Sequence, residues 1–481
     1  MAVFYNAGEE KIRPGVYQRH VNIGQASIAG AQDGICAIPI KASWGPLNKV
    51  MKITRASQLA QIYGSGTYGT GYTVPAAEAL FAGGAATVYT YRMGTGGTKA
   101  TFLIEATTPA DSTVLVTAKY PGTMSLSIAI KAKLGDSTIK EFQVYAGTTL
   151  VETFYFAADA TAEGANLVAA AADSEYVDVT AGTTIPTVIP TVAVTSGALT
   201  GGTNPTLANT DYSAAFAAFE PYYYNTITLD VDDDSSMTLS LLLQAYLDNA
   251  YKMGKLGIAV VGEKTSVSFA TRLNHARAFN DAKVVYLGGG YKAGAESKDG
   301  VMAICYTAGL IASTPSNRGI THAVIKGATD LCESLTYSQY EDAILSGMLL
   351  LSMSPDGSIW YDSGINTLIN PDEETQDNGW KKIRRVKVRF EMIDRLDRTL
   401  APKIGRISAD SDGAADVIQS GQRVLNAMAD NEGKLMPGPT FTADPELPMQ
   451  GDSAWFIIQA DDIDSLEKIY LQYQFRYSQY A

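Results

Sequence analysis

The chain has 481 residues, 46% hydrophobic and 18% charged, a balance that builds cores and argues against global disorder. At about 100–200 residues per domain its length allows roughly two to four domains. The net charge of −13 repels polyanions and anionic headgroups, which disfavours nucleic-acid and membrane-surface binding. Cys36, Cys305 and Cys332 are few, far apart and without CxxC spacing, so they read as buried free thiols of a reducing cytosol, not as a disulfide framework or zinc site.

The N-terminus, MAVFYNAGEEKIRPG, lacks the basic and apolar regions of a signal peptide. The most apolar stretches, 301–312 and 343–353, fall short of the roughly 20 residues that span a bilayer. The expectation is a protein made and kept in the cytoplasm unless it leaves inside a larger particle. Residues 14–23 read as an extended arm: after Pro14-Gly15, Tyr17, Arg19, Val21 and Ile23 share one side of a strand. A helix is predicted over 74–82 and a strand over 86–92, with Gly83-Gly84 as the stop between them.

From about 98 to 205 the chain is rich in Thr, Val, Ala and Gly, with short β runs at 113–119, 125–131, 141–145 and 152–156. Pro186 and Pro190 make 183–195 a loop or edge strand. This stretch reads as an antiparallel β module inserted between two α/β stretches. Alternation then returns: strand 227–231, helix 235–253, strand 256–261, helix 266–279, strand 283–287 and an apolar helix 300–312. That order argues for a sheet covered on both faces. After Pro371 come a basic helix (381–400), a second helix (413–430), a Pro-rich loop (437–448) and strands at 454–459 and 468–477.

The expected fold is therefore a mixed α/β and α+β multidomain chain. Its parts are an N-terminal arm (1–25), an α/β core in two parts (26–93 and 206–370), an inserted antiparallel β domain (94–205), a C-terminal α+β domain (371–465) and a C-terminal β arm (466–481).

The last strand is the sharpest pattern. Ile469, Leu471, Tyr473, Phe475 and Tyr477 alternate with polar or amphipathic residues over roughly 33 Å at about 3.3 Å per residue. It fits an edge strand completed within its own domain, or a strand donated to a neighbour, where main-chain hydrogen bonds give affinity and alternate side chains give register. Arms at both ends favour donation, because a lone exposed edge is a liability that proteins cover.

The helix at 381–398 carries eight basic and three acidic residues in an acidic chain. Ile383, Val386, Phe390, Ile393 and Leu396 mark its buried stripe. Lys381, Lys382, Arg384, Arg385 and Arg389 read either as a solvated face or as contacts to an acidic surface of another subunit or an enclosed tube.

The catalytic inventory is thin. Gly64-Ser-Gly66-Thr-Tyr-Gly69 matches GxGxxG, but the segment before it, 57–63, reads as helical where a dinucleotide site needs a strand. Gly288-Gly289-Gly290 reads as a turn. Asp232-Asp233-Asp234-Ser235 reads as a helix cap before it reads as a cation site. His20, His275 and His322 are isolated, and no GxSxG, HExxH or EF-hand loop occurs.

Six segments in order, RPGVYQRH, LFAGGAATVYTYRM, AKYPGTMSLSIAI, SPDGSIWYDSGINTLIN, GWKKIRRVKVRFEMIDRL and DSAWFIIQADDIDSLEKIYLQYQF, together resemble the contractile tail sheath family shared by phages, phage-tail-like bacteriocins and related injection systems. Met124 and Ser125 stand where the family usually carries Trp and Asn. The resemblance covers most of the chain except the insertion.

It implies a structural protein, not an enzyme, with no cofactor, no metal and no nucleic-acid partner. It implies stacked hexameric rings around a tail tube, N- and C-terminal arms exchanged between subunits, and contraction that drives the tube through a target envelope. The partners implied are other copies of the chain, the tube protein, and baseplate and tail terminator proteins, with the C-terminal domain facing the tube and the insertion facing outward. The particle would be a virion or a phage-tail-like particle assembled in a bacterial cytoplasm. The competing expectations are an α/β enzyme using 206–370, which requires a polar pocket at the strand C-termini, and a tube or baseplate structural protein.

Overall fold

The structure is a computed structural model. It describes residues 33–69, 71–106, 108–232 and 237–475, together with the backbone of two short strands, Val3–Phe4 and Tyr17–Gln18, which pair in parallel.

The core begins with β1 (Ile35–Ile40), all six of whose residues are buried, as a central strand covered on both faces requires. β2 (Val50–Ile53), α1 (Ala56–Tyr63), α2 (Val74–Ala82) and β3 (Thr87–Arg92) follow. Helix α1 directly precedes the glycine-rich loop, so that loop does not open from a strand. Pro75 lies in the first turn of α2, where its missing N–H costs nothing.

The insertion holds β4 (Thr101–Ala106), β5 (Ser112–Ala118), β6 (Leu126–Lys133), β7 (Asp136–Ala146), β8 (Thr149–Ala157), α3 (Glu163–Ala170) and β9 (Val177–Ala181). They form two antiparallel three-stranded sheets, ordered β9-β5-β4 and β8-β7-β6, around one apolar core. Residues 183–195 carry no regular strand; only Val192 bridges, to Ile130.

The core resumes with α4 (Asn209–Phe219), β10 (Thr226–Thr228), α5 (Thr238–Lys252), β11 (Ile258–Gly262), α6 (Phe269–Phe279), β12 (Val284–Leu287), α7 (Val301–Ser313), α8 (Tyr337–Leu345) and β13 (Met348–Leu349). The seven-stranded sheet runs β13-β12-β11-β10-β1-β3-β2, parallel except for β2. One face packs against α2 and α7, the other against α4, α5 and α6. Helices α2 and α7 cross at Gly83 and Gly309: a Cβ on Gly83 would lie 2.0 Å from the Tyr306 carbonyl, and one on Gly309 2.1 Å from that of Leu80.

The C-terminal domain contains α9 (Ile383–Leu400), α10 (Ser411–Asn426), β14 (Thr440–Ala443) and β15 (Phe456–Gln459). Strand β14 lies inside the expected Pro-rich loop. Its prolines flank the pairing with β15 without interrupting it, which is where a ladder tolerates them.

Other expectations are also corrected. Cys36 and Cys305 are buried free thiols, but Cys332 is only half-buried. Ile393 is 39% exposed and leaves the expected stripe of α9. Asp232 does cap a helix: its carboxylate accepts from the Val301 amide of α7 at 2.8 Å; residues 233–236 of the run lie outside the described residues.

Candidate assembly interface

Helix α9 stands between two bodies. Ile383, Val386 and Phe390 enter the core cluster shared with α7, while Val388 and Leu396 enter the C-terminal cluster with Val424, Leu425, Met428 and Phe441. Between these apolar faces, at the i, i+4, i+8 spacing that places residues on one line, lie the buried charges Lys387, Glu391 and Arg395. Buried charges need partners, and each has them. Lys387 Nζ donates to the Ile311 carbonyl at 2.6 Å and to the Thr314 carbonyl, at the C-terminus of α7, where a cation also meets the negative end of the helix dipole. Glu391 accepts from Ser316, from Arg395 and, at 2.6 Å, from Lys434. Arg395 holds Glu432 with two hydrogen bonds, at 2.6 and 2.8 Å.

Burial draws the Lys387 ammonium down from 10.5 to about 8, while Asp33 and Glu391 pull the other way. The unfolded chain therefore keeps a proton that the folded chain has lost between about pH 8 and 10.5, and the Lys387 contribution to stability rises with pH through that window. Wild type is expected to gain on Lys387→Met by an amount on the order of 3 kcal/mol across it. Denaturant unfolding of both proteins at successive pH values checks this; a constant difference contradicts it.

Basic residues at the start of α9 face an acidic run just before the C-terminal arm, Asp461, Asp462, Asp464 and Glu467, while Arg398 near the helix end pairs with Asp394. Arg385 and Arg389 both hold Asp462, the latter at 3.0 Å. Burial pushes Asp462 up, but hydrogen bonds from these two guanidiniums outweigh it and leave the carboxyl below its ordinary range. Arg389 also grips Asp377 with two hydrogen bonds, at 2.9 and 3.0 Å, and lies over the Trp380 ring. Lys382 Nζ bridges Asp464 at 2.8 Å and Glu467 at 3.0 Å, and Arg384 donates to the Ser465 hydroxyl at 3.0 Å. Lys381 is half-buried. Of the five basic residues read as a docking face, four thus act within the chain. Charge counting along the helix missed their partners; the acidic run at 461–467, matched to the basic one, was the available signal.

Beyond Glu467 the described chain takes no regular structure. Ile469, Leu471, Tyr473 and Phe475 are 71%, 69%, 72% and 94% exposed, and no strand pairs with them among the described residues. Tyr477 lies outside the described residues, as do Arg19, Val21 and Ile23; Tyr17 belongs to the short strand parallel to Val3–Phe4.

Near the root of this arm, β14 and β15 form a sheet of two strands. The β14 edge is engaged by Gln422, whose side chain accepts from the Phe441 amide at 2.8 Å and donates to the Pro439 carbonyl at 2.7 Å. Beside β15 lies a cleft of about 320 Å³ lined by Leu400, Ile404, Ile407, Val417, Met449 and Phe456, among others.

At the C-terminal ends of β1 and β10, where the strand order reverses, there is a cleft of about 570 Å³ lined by Lys41, Tyr68, Tyr212, Asp232 and Lys264, among others. This is where an α/β enzyme would place its chemistry. Asp232, which lines the cleft, pairs with Lys264 at 2.8 Å and caps α7, while Asp230, buried behind the lining, accepts from Thr73 at 2.6 Å and Tyr212 at 2.7 Å. Among the described residues that line it there is no histidine, cysteine or serine. His275 lies elsewhere, hydrogen-bonded to Glu263 at 2.8 Å, and His322 stacks on Trp360. Among the described residues no group of three or more His, Cys, Asp and Glu could hold a metal ion, and no helix is long and apolar enough to cross a membrane.

Residues 206–367 match the family model of the phage tail sheath protein central domain, and residues 34–93 that of the tail sheath protein Gp18 domain III N-terminal region. Two Bacillus subtilis proteins, uncharacterized protein YqbK and phage-like element PBSX protein XkdK, are each 23% identical, over 97% of this chain and 98% of theirs. The fold is that of the sheath tail protein Lin1278 of Listeria innocua (TM-score 0.69, 19% identity, 90% of this chain and 96% of that one). It is equally that of a sheath tail protein of Desulfitobacterium hafniense (TM-score 0.69, 18% identity, 93% of this chain and 100% of that one). The contracted helical sheath of the anti-feeding prophage matches at a TM-score of 0.54, 12% identity and 97% of this chain against 99% of that one. Two regions of the chain thus match phage tail sheath family models, within a fold that it shares with sheath tail proteins along nine-tenths of its length.

Proposed function

We propose that the chain is the structural subunit of a contractile tail sheath. Copies polymerise as stacked hexameric rings around a tail tube, and contraction of the polymer drives the tube through a target envelope. Neighbours are linked by their terminal arms, which add strands to sheets in adjacent copies. The observation that carries this reading is the C-terminal arm. Its alternating apolar residues, Ile469 to Phe475, stand exposed and unpaired among the described residues, a costly arrangement unless another surface covers them. The hairpin β14–β15 supplies a matching acceptor, with a backbone edge at β15 and the apolar cleft beside it.

Such contacts run head to tail and propagate as a helix instead of closing as a dimer. The C-terminal domain faces the tube and the inserted β domain faces outward. The work of contraction comes from the difference between an assembled, kinetically trapped state and a more stable one, so no catalytic site or cofactor is called for. The other partners are the tube protein and the baseplate and terminator proteins at the polymer ends, within a phage or phage-tail-like particle.

Electron microscopy of the purified protein tests the reading. Long hollow cylinders of even diameter are expected. A protein that stays monomeric at every concentration and ionic strength tried contradicts it.

A further inference from the structure

The last backbone hydrogen bonds that tie the C-terminal segment to its own domain are those between Asp461 and Met436, at 2.7 Å, and between Ile463 and Lys434, at 3.0 Å. Beyond them, among the described residues, the chain is held to its body only by side chains. Lys382 bridges Asp464 and Glu467, Arg384 binds Ser465, and the Thr321 hydroxyl donates to Glu467 at 3.0 Å. The exposed part of the arm starts immediately afterwards.

These anchors differ from those one turn further along α9. Asp462, held by Arg385 and Arg389, is 5% exposed, whereas Lys382, Asp464 and Glu467 are 26%, 35% and 22% exposed. The inner pair is built into the domain; the outer set can open while the domain stays folded. A charged contact of this kind contributes direction and register more than affinity. Helix α9 is a rigid base for it, since its other faces are packed into both bodies.

We propose that Lys382, with Asp464 and Glu467, is an electrostatic latch that fixes the direction in which the C-terminal arm leaves the subunit. These three are positioning residues: they aim the strand 468–477 at the neighbouring copy without contacting that copy's sheet. The inference rests on the assembly reading above and deepens it. Orienting the arm in advance removes part of the ordering cost of each inter-subunit contact, and a salt-screened latch makes assembly sensitive to ionic strength.

The test compares four full-length proteins, wild type, Lys382→Glu, Glu467→Gln and the swap Lys382→Glu with Glu467→Lys, alongside a truncation lacking 466–481. Sedimentation gives the polymer fraction, thermal unfolding monitors the fold, and hydrogen exchange reads the segment 464–475. Lys382→Glu is expected to raise the protein concentration needed for polymer by about tenfold, with faster exchange at 464–467 and an unchanged melting temperature of the body. Glu467→Gln, a milder change should Lys382→Glu fail to fold, is expected to show the same shift in smaller measure. The swap is expected to restore assembly, which a purely structural role for Lys382 would not produce.

If Lys382→Glu and Glu467→Gln polymerise as wild type does while the truncation does not polymerise, the latch is overturned and the arm reading stands. If the truncation itself polymerises normally, the arm reading fails and the latch with it.

Discussion

Removing residues 466–481 is expected to abolish polymers while leaving a folded, soluble subunit. The subunit survives because no buried residue of the four apolar cores lies beyond 441, and the described arm makes no strand pairing within its own chain. The polymer does not, because the arm carries a run of exposed apolar residues with no strand partner among the described residues, and its loss is multiplied over every copy in the assembly. Contacts that are individually modest become decisive when each subunit makes several at once. Sedimentation and circular dichroism of the truncated protein check this. Polymers that persist unchanged contradict the arm's role, and a truncated protein that is unfolded contradicts its independence from the body.

Substituting Arg92 is expected to have the largest effect on the subunit itself. Arg92 closes β3, is fully buried and has no carboxylate partner in an ion pair among the described residues. Its guanidinium donates to three carbonyls, those of Ala42 at 3.0 Å, Gly45 at 2.7 Å and Pro121 at 2.8 Å. Burial draws it down from 12.5 to about 10, so it is still a cation at neutral pH.

The first two carbonyls belong to the core and the third to the insertion, so one side chain ties the two bodies together. The seam around it is tight. A Cβ on Gly122 would lie 1.9 Å from the Ser43 carbonyl, and Trp44 packs edge-on against Tyr120 and face-on against Tyr176 of the insertion. Arg92→Met would leave two buried acceptors and one half-buried one without this donor, at about 1–3 kcal/mol for each buried group before relaxation, and a total loss of roughly 3–5 kcal/mol is expected. Arg92→Lys should recover little of it, because an ammonium does not reproduce the planar fork. Denaturant unfolding measures the loss; a midpoint within error of wild type for Arg92→Met would show that the seam does not depend on this residue.

What was legible in the sequence follows from the range of the interactions that set it. Helix α2 has the bounds 74–82 that its own pattern and the Gly83-Gly84 stop require, and β3 begins one residue after its expected start. Both are fixed by neighbours in sequence. Strand β10 stops at Thr228, short of the expected 231, because Asp230 leaves the ladder to bond with Thr73 and Tyr212, residues far away or on another element.

Helix α9 shows the same division. Its existence and its excess of positive charge were plain, but the row Lys387, Glu391 and Arg395 is buried against groups at 311–316 and 432–434 that its own periodicity does not reveal. Arg92 was visible as the end of a glycine-punctuated motif, yet its role depends on a carbonyl contributed by a YPG stretch 29 residues later. The C-terminal strand was the converse case: its alternation was strong, but a strand needs a partner, and the described part of it remains without regular structure where no partner chain is present.

A high-resolution electron-microscopy reconstruction of the assembled polymer is the most direct measurement. Residues 468–477 are expected to appear there as a β-strand, hydrogen-bonded to the β14–β15 sheet of an adjacent copy, with Ile469, Leu471, Tyr473 and Phe475 covered. A reconstruction in which that segment lies against its own subunit, with no main-chain hydrogen bond crossing between copies, would contradict the account.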